Sequence, residues 1–255
     1  MTPQELTLWF NNQYTKEFAR LKRQIDLLYA ELSREVKKEI QSTRYQLNGK
    51  YDSSNSSHKP LLDSMGNNLD TLVDRTFIQV ENEFQTTMES MYNIGYNGVK
   101  HTIKNPVEES EFVYQTGRSV DMQNPWSGVH YTERLESHKA KLKFNLKANV
   151  KGSIVRGETF GVNYNEAYKA IQYQLSALDR LCKTEMNVMK IMGQIHCYKQ
   201  NGIVKVRCIQ DQRCCDVCKA HDGEEVQVSR AKVGVNIPSW HTSCRCYIEE
   251  VTPNK

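Results

Sequence analysis

Phe10, Tyr14, Phe18, Leu21, Ile25, Leu28, Leu32, Val36 and Ile40 recur at steps of three and four residues. Apolar residues at that spacing fall on one face of a helix, and the run predicts about eight unbroken turns with charged residues opposite. Gly49 ends the pattern, and GKYDSSNSSHKP (49–60) reads as a polar linker. A second helical pattern follows through Leu62, Met65, Leu69, Leu72, Val73, Val80, Phe84, Met88 and Met91, fading at Gly95–Gly98. Two long amphipathic helices joined by a short polar linker read as an antiparallel hairpin or coiled coil. Each face needs a partner: the other helix, the rest of the chain or another subunit.

The stretch 105–130 reads as irregular, with Asn105-Pro106, Asn124-Pro125, Gly117 and Gly128, and marks a domain boundary. From Tyr131 to Lys151 two patterns compete. Lys139, Lys143, Lys147 and Lys151 step by four, as a helix requires, whereas Leu142, Phe144, Leu146, Ala148 and Val150 alternate with polar residues, as a strand does. Length and the good helix formers upstream favour helix, with the lysines forming a basic stripe facing solvent. Residues 152–161 read as a loop. Asn165 is placed to cap the next helix, carried by Ala167, Ile171, Leu175, Leu178, Leu181, Met186 and Met189 to Asn201-Gly202. Cys182 and Cys197, in helical surroundings, read as small buried apolar residues.

Beyond Gly202 the pattern changes. Val204, Val206 and Cys208 alternate with Lys205 and Arg207 as in a strand, and Glu225–Val228 and Cys246–Val251 are also strand-like. Such short strands cannot bury a core alone, and a metal would supply what packing does not. The fold class expected is therefore mainly α (α+β): a helical hairpin over 1–104, a helical middle region over 105–200 and a zinc-stabilised β tail over 201–255.

Cysteine placement is the strongest chemical signal. All eight lie after residue 181, and five fall between Cys214 and Cys246. The N-terminus shows no basic region followed by an apolar stretch, so no secretory signal is expected, and clustered cysteines then favour metal over disulfides. Cys215-x2-Cys218 and His241-x2-Cys244 are paired ligand knuckles of the kind that close a tetrahedron around Zn2+. Cys246 can replace His241 in an all-cysteine site, because Cys244 and Cys246 share a face of an extended segment. Cys214 is out of register and should point away. The expected metal ligands are thus Cys215, Cys218, His241, Cys244 and Cys246, with the fourth position open between His241 and Cys246. A site closed by four protein ligands leaves no place for a reacting water, so the zinc reads as structural and the chain as no enzyme. The deaminase arrangement of His-x-Glu before Pro-Cys-x2-Cys is absent, as are a Gly-rich phosphate loop and His-Glu-x2-His.

Charge is uneven: residues 130–255 hold 20 Lys+Arg against 13 Asp+Glu, whereas residues 1–129 hold 14 against 17. A basic half can meet DNA or an acidic protein surface. No run of apolar residues is long enough to span a membrane.

Asp211-Gln-Arg213, Cys215-Asp-Val-Cys218, His221-Asp222-Gly223 and Pro238-Ser-Trp-His241-Thr-Ser-Cys244-Arg245-Cys246 together resemble the signature of phage Mu F-like minor head proteins, the head morphogenesis proteins. Trp126-Ser-Gly128 with Tyr131-Thr-Glu133-Arg134, and Asp179-Arg-Leu-Cys-Lys-Thr184-Glu185, resemble the earlier blocks in the same order. The chain departs from the family pattern in having Cys214 where Thr is usual and Ile237-Pro238 with a Trp where Pro-Pro is common. The resemblance covers roughly residues 125–250 and assigns Arg134 and Glu185 a structural role only. It implies a tailed-phage or prophage protein of the virion and procapsid, in the host cytoplasm during assembly. Its partners would be the portal and other capsid or scaffold proteins, with a role in head morphogenesis and in DNA packaging or ejection. The competing readings are a zinc-containing DNA-binding module, reached through the basic C-terminal half, and a nuclease or cysteine hydrolase.

Overall fold

The computed structural model describes residues 3–104, 106, 130–211 and 214–251. Four long helices dominate it: α1 (Pro3–Gln46), α2 (His58–Lys100), α3 (Tyr131–Val155) and α4 (Phe160–Gln200). A small antiparallel sheet follows, built from β1 (Lys205–Ile209), β2 (Glu225–Gln227) and β3 (Tyr247–Glu250) in the order β2-β1-β3. One short helix, α5 (Asp216–Ala220), lies between β1 and β2. The protein is therefore mainly α with a small β element. The irregular stretch expected near Gly117, the block at Trp126–Gly128 and the Arg213 of the signature lie outside the described residues.

Contacts divide the chain into two units, and both draw on separated stretches of sequence. One comprises 1–21, 84–131 and 180–255; the other comprises 22–83 and 132–179.

In the second unit the buried side of α1 runs Ile25, Tyr29, Leu32, Val36, Ile40. Tyr29 replaces the expected Leu28: at 3.6 residues per turn it falls within the arc of Ile25, Leu32, Val36 and Ile40, whereas Leu28 falls outside that arc and sits half-buried at the margin. The α1 stripe meets α2 in the antiparallel sense. The Tyr29 and Phe77 rings lie 6.5 Å apart, while nearer the end of α1 Glu39 accepts from Asn68 Nδ2 at 2.9 Å. The competition over 131–151 resolves as helix. Leu135, Leu142, Leu146 and Val150 are fully buried at helical spacing, whereas Phe144, which a strand would have faced inward, is 71% exposed.

The lysine stripe of α3 is not left to solvent. Lys143 pairs with Asp74 at 2.6 Å, Lys147 with Asp70 at 2.7 Å and Lys151 with Asp63 at 2.9 Å, and Lys139 lies 4.0 Å from Glu81. As α3 advances its partners retreat along α2, so the ladder fixes an antiparallel register. Individual half-exposed pairs contribute little, on the order of 0.2–1 kcal/mol. Four in register nonetheless discriminate against a one-turn slip, which would leave lysines opposite the wrong residues.

The turn before α4 departs from expectation. The helix starts at Phe160, and Thr159 caps it by accepting the Val162 backbone N–H on Oγ1 at 3.4 Å. Asn165 lies inside the helix, exposed. Arg44 reaches this turn and donates to the Glu158 carbonyl at 2.7 Å and to Asn163 Oδ1 at 2.8 Å.

In the first unit the three-stranded sheet has a core, contrary to the expectation from strand length. Val206 and Cys208 of β1 and Tyr247 and Ile248 of β3 join Leu6 and Phe10 of α1, Tyr96 and Val99 of α2, and Ile191, Ile195 and Tyr198 of α4 in one buried cluster. Polar contacts tie the same faces: Tyr247 Oη and Thr7 Oγ1 are 2.5 Å apart, and Tyr198 Oη donates to the Ile248 carbonyl at 3.3 Å. Here α2 and α4 approach backbone to backbone. A β-carbon on Gly95 would stand 2.0 Å from the Lys190 carbonyl oxygen, and one on Gly193 would stand 2.1 Å from that of Tyr92. Gly95, which the sequence pattern treats as a helix end, is instead a mid-helix point of close approach.

Gly193→Ala is expected to destabilise the protein by about 1–3 kcal/mol, the usual range for forcing extra atoms into a packed interior, despite alanine's better helix propensity. Denaturant unfolding of the full chain reads this; an unchanged or raised midpoint would show that the helices separate at no cost.

Candidate metal centre

The first knuckle is set by the start of α5. Cys215 takes the N-cap position with an extended backbone (φ −85°, ψ 173°), and Cys218 follows inside the short helix. The Cys218 backbone N–H, with that of Val217 behind it, points at the Cys215 sulfur and holds its thiol below the ordinary value. The second knuckle lies between the Trp240 turn and β3. It presents His241 from a half-exposed position and buries Cys244 and Cys246, each 1% exposed.

The five side chains fall into two overlapping sets. Cys215, Cys218 and His241 form one, and Cys218, Cys244 and Cys246 form the other; within each, all ligand atoms lie within 4.8 Å of one another. Cys218 is common to both. His241 Nε2 stands 3.2 Å from the Cys215 sulfur and 3.0 Å from that of Cys218, and the Cys218 and Cys244 sulfurs are 3.7 Å apart. The other ring nitrogen of His241, Nδ1, lies 2.7 Å from the Thr242 carbonyl. That carbonyl can only accept, so Nδ1 carries the proton and Nε2 turns its lone pair toward the sulfurs. This is the tautomer a metal-ligating histidine needs.

Crowding sulfurs together forces them to share protons. A hydrogen bond from the Cys246 thiol holds Cys244 down at about 5, and the same contact pushes Cys246 well up. Burial first, and then the neighbouring Cys244 sulfur, pushes Cys218 up to about 12. One buried thiolate thus sits among thiols that hold their protons. A divalent cation would replace those protons and be bound by soft sulfur and imidazole donors, the set that suits Zn2+. The residues present fit such an ion.

Cys214 belongs to neither set: its thiol donates to Gln210 Oε1 at 2.8 Å. Cys182, Cys197 and Cys208 are buried elsewhere, and burial pushes the Cys208 thiol up to about 12. His221 of the signature is no ligand among the described residues. It stacks on Trp240 at 4.5 Å and pairs with Glu224 at 2.7 Å, while Trp240 in turn packs against the buried sulfurs.

Behind the second knuckle stand residues that carry no ligand pattern. Asp211, 5% exposed, receives Arg245 at 3.0 Å and Asn11 Nδ2 at 3.1 Å. Thr184 Oγ1 accepts the Ser243 backbone N–H at 3.4 Å, and Gln194 Oε1 accepts that of Ile248 at 3.4 Å. Lys190, 2% exposed, extends from α4 to the carbonyls of Arg245 and Cys246. Burial lowers its amine to about 8, against the opposing pull of the Cys244 and Cys246 sulfurs. Glu185, 2% exposed, is buried in α4. In α4 the sequence pattern follows the apolar residues alone, so Lys190 and Gln194 read from sequence as part of the exposed face.

Residues 145–249 match the family described as Phage Mu protein F like protein. The matched stretch runs from the second half of α3 to β3 and includes both knuckles, so this part of the chain is similar to that family. The block at Trp126–Arg134 lies upstream of it. No curated protein and no solved structure matches the chain.

Cys218→Ser is expected to abolish metal binding by either set, whereas Cys214→Ser should leave it intact; elemental analysis of the purified proteins reads both. Equal metal content in wild type and Cys218→Ser would remove the cluster as a metal site. Chelation of the loaded protein is expected to speed amide exchange in 214–224 and 239–246 while the amides of β1 and α4 stay protected, because the sheet's apolar face is held by the helices. Loss of protection across the sheet as well would mean that metal, not packing, holds the tail.

Proposed function

We propose that the protein is a structural assembly component of a tailed-phage or prophage head, acting near the portal in head morphogenesis, and that it carries one structural Zn2+ in the cysteine–histidine cluster. The observation that carries this reading is the Mu F-like match over the stretch that contains both knuckles. The site supports a structural role. Four of five soft donors suffice to close a tetrahedron, leaving no open position on the ion for a reacting water, and Cys218, Cys244 and Cys246 among them are buried. The same reasoning makes the chain no enzyme. Long helices with exposed polar faces offer surface to portal, scaffold and capsid subunits.

The basic half offers DNA less free charge than its composition suggests, because Lys143, Lys147 and Lys151 are engaged by carboxylates of α2. No described helix is long and apolar enough to cross a membrane.

Deletion of the gene from the phage or prophage that encodes it tests the proposal. The expected result is a fall in filled heads, restored by wild-type protein supplied in trans, with the protein recovered from purified procapsids together with the portal. Normal yields of infectious particles, or absence of the protein from procapsids, would overturn it.

A further inference from the structure

Lys190 is the one large charged side chain among the largest fully buried residues of the described chain. Its ammonium group forms no direct ion pair among the described residues, and the Asp211 carboxylate acts on it only from further away. Instead Nζ lies 3.3 Å from the Arg245 carbonyl and 3.4 Å from the Cys246 carbonyl, and 5.5 Å from the centre of the Phe10 ring. Every one of these neighbours is an electron-rich acceptor: two carbonyl oxygens and an aromatic face. All three can receive an ammonium, while burial works against its charge. A buried cation without a counter-charge is expensive. The other cation of the region, Arg245, is already matched by Asp211. Asp211 is thus shared with Arg245, and the further negative charge near Lys190 is that of the sulfur cluster, since one carbonyl it touches is that of a proposed ligand, Cys246.

The charge balance of the site explains the pairing. Three thiolates and a neutral imidazole around a divalent ion leave one net negative charge, and four thiolates leave two. In a buried place that excess needs a cation close by. Lys190 sits on α4, whose backbone is locked against α2 at the same residue, since the Lys190 carbonyl is the atom closest to Gly95. The ammonium is therefore held in place by the helix packing and is not free to swing toward solvent.

We propose that Lys190 is a positioning residue of the metal centre, a fixed buried counter-cation that holds the Arg245–Cys246 backbone and offsets the excess negative charge of the thiolate-bound ion. The inference rests on the reading of the cluster as a metal site.

The test uses the full chain, stripped of metal and titrated with Zn2+ against a chromophoric chelator. Lys190→Met removes the charge and keeps the length, Lys190→Gln removes the charge and keeps a donor for the carbonyls, and Lys232→Met removes a surface lysine of the tail as a control. Both Lys190 variants are expected to bind Zn2+ about 10- to 100-fold more weakly, as loss of an outer-shell partner typically does. Their helical circular dichroism should be retained, and the metal-free protein should melt no earlier than wild type, since an apolar or neutral group replaces a buried charge. Lys232→Met should stay within about two-fold, because an exposed charge is screened. If Lys190→Met does not fold, Lys190→Gln carries the test. Unaltered Zn2+ affinity in the folded variants would overturn the proposal while leaving the metal site intact. Weaker binding matched by an equal loss of metal-free stability would reduce Lys190 to a packing role. A wild-type chain that takes up no Zn2+ would defeat the metal reading, and this inference with it.

Discussion

The sheet of this protein borrows its core. Strands of five, three and four residues bury too little apolar surface to stand alone. Their inner face is therefore closed by Leu6 and Phe10 from the start of the chain, Tyr96 and Val99 from its middle and Ile191, Ile195 and Tyr198 from the helix just before. Both knuckles emerge from this sheet or lead into it. The first follows the end of β1 through Asp211, and the second runs directly into β3. The distances among the sulfurs thus depend on how firmly the strands sit on the helices.

That dependence changes what a metal ion would do here. In a small zinc finger, binding free energy is folding free energy, and the apo chain is unfolded. Here the hydrophobic cluster forms the sheet, and the helices supply fixed points for the knuckles: Thr184 for Ser243, Gln194 for Ile248, Lys190 for the Arg245–Cys246 carbonyls. An ion would tie the two knuckles to each other across a frame that already exists. Preorganisation of this kind raises affinity by lowering the entropy lost on binding.

Much of this was legible in the residues. Helical periodicity located α1 and α2, and the step of four among Lys139, Lys143, Lys147 and Lys151 pointed to a helix where the alternation around Phe144 pointed to a strand. The gathering of Cys215, Cys218, His241, Cys244 and Cys246 was legible too, because paired knuckles are short-range patterns that spacing alone can encode. What spacing cannot encode is a partner far along the chain. The lysines of α3 look like a solvent face until Asp63, Asp70 and Asp74 of α2 are brought opposite them. Asn165 looks like a cap, and Thr159 is preferred because the helix can start one and a half turns earlier, where a free hydroxyl meets its first N–H groups. Lys190 is invisible for the same reason, and Asp211, though part of the signature, shows its role only through its burial and its contacts with Arg245 and Asn11. Which of His241 and Cys246 completes a four-donor set is not decided by proximity, because both lie within reach of Cys218.

The interleaving of the two units has a consequence for how the chain is made. The unit of residues 22–83 and 132–179 has all its parts once Asp179 has been synthesised, whereas the unit that holds the metal centre lacks its central core residues until β3 at Tyr247–Glu250 has left the ribosome. Domains generally assemble in order of synthesis, but here the earliest segment, with Leu6 and Phe10 exposed on α1, must wait for the latest. During translation that apolar end of α1 has only part of its native cover, from Tyr96, Gly98 and Val99 of α2, so its burial is completed only when α4 and the strands have been made.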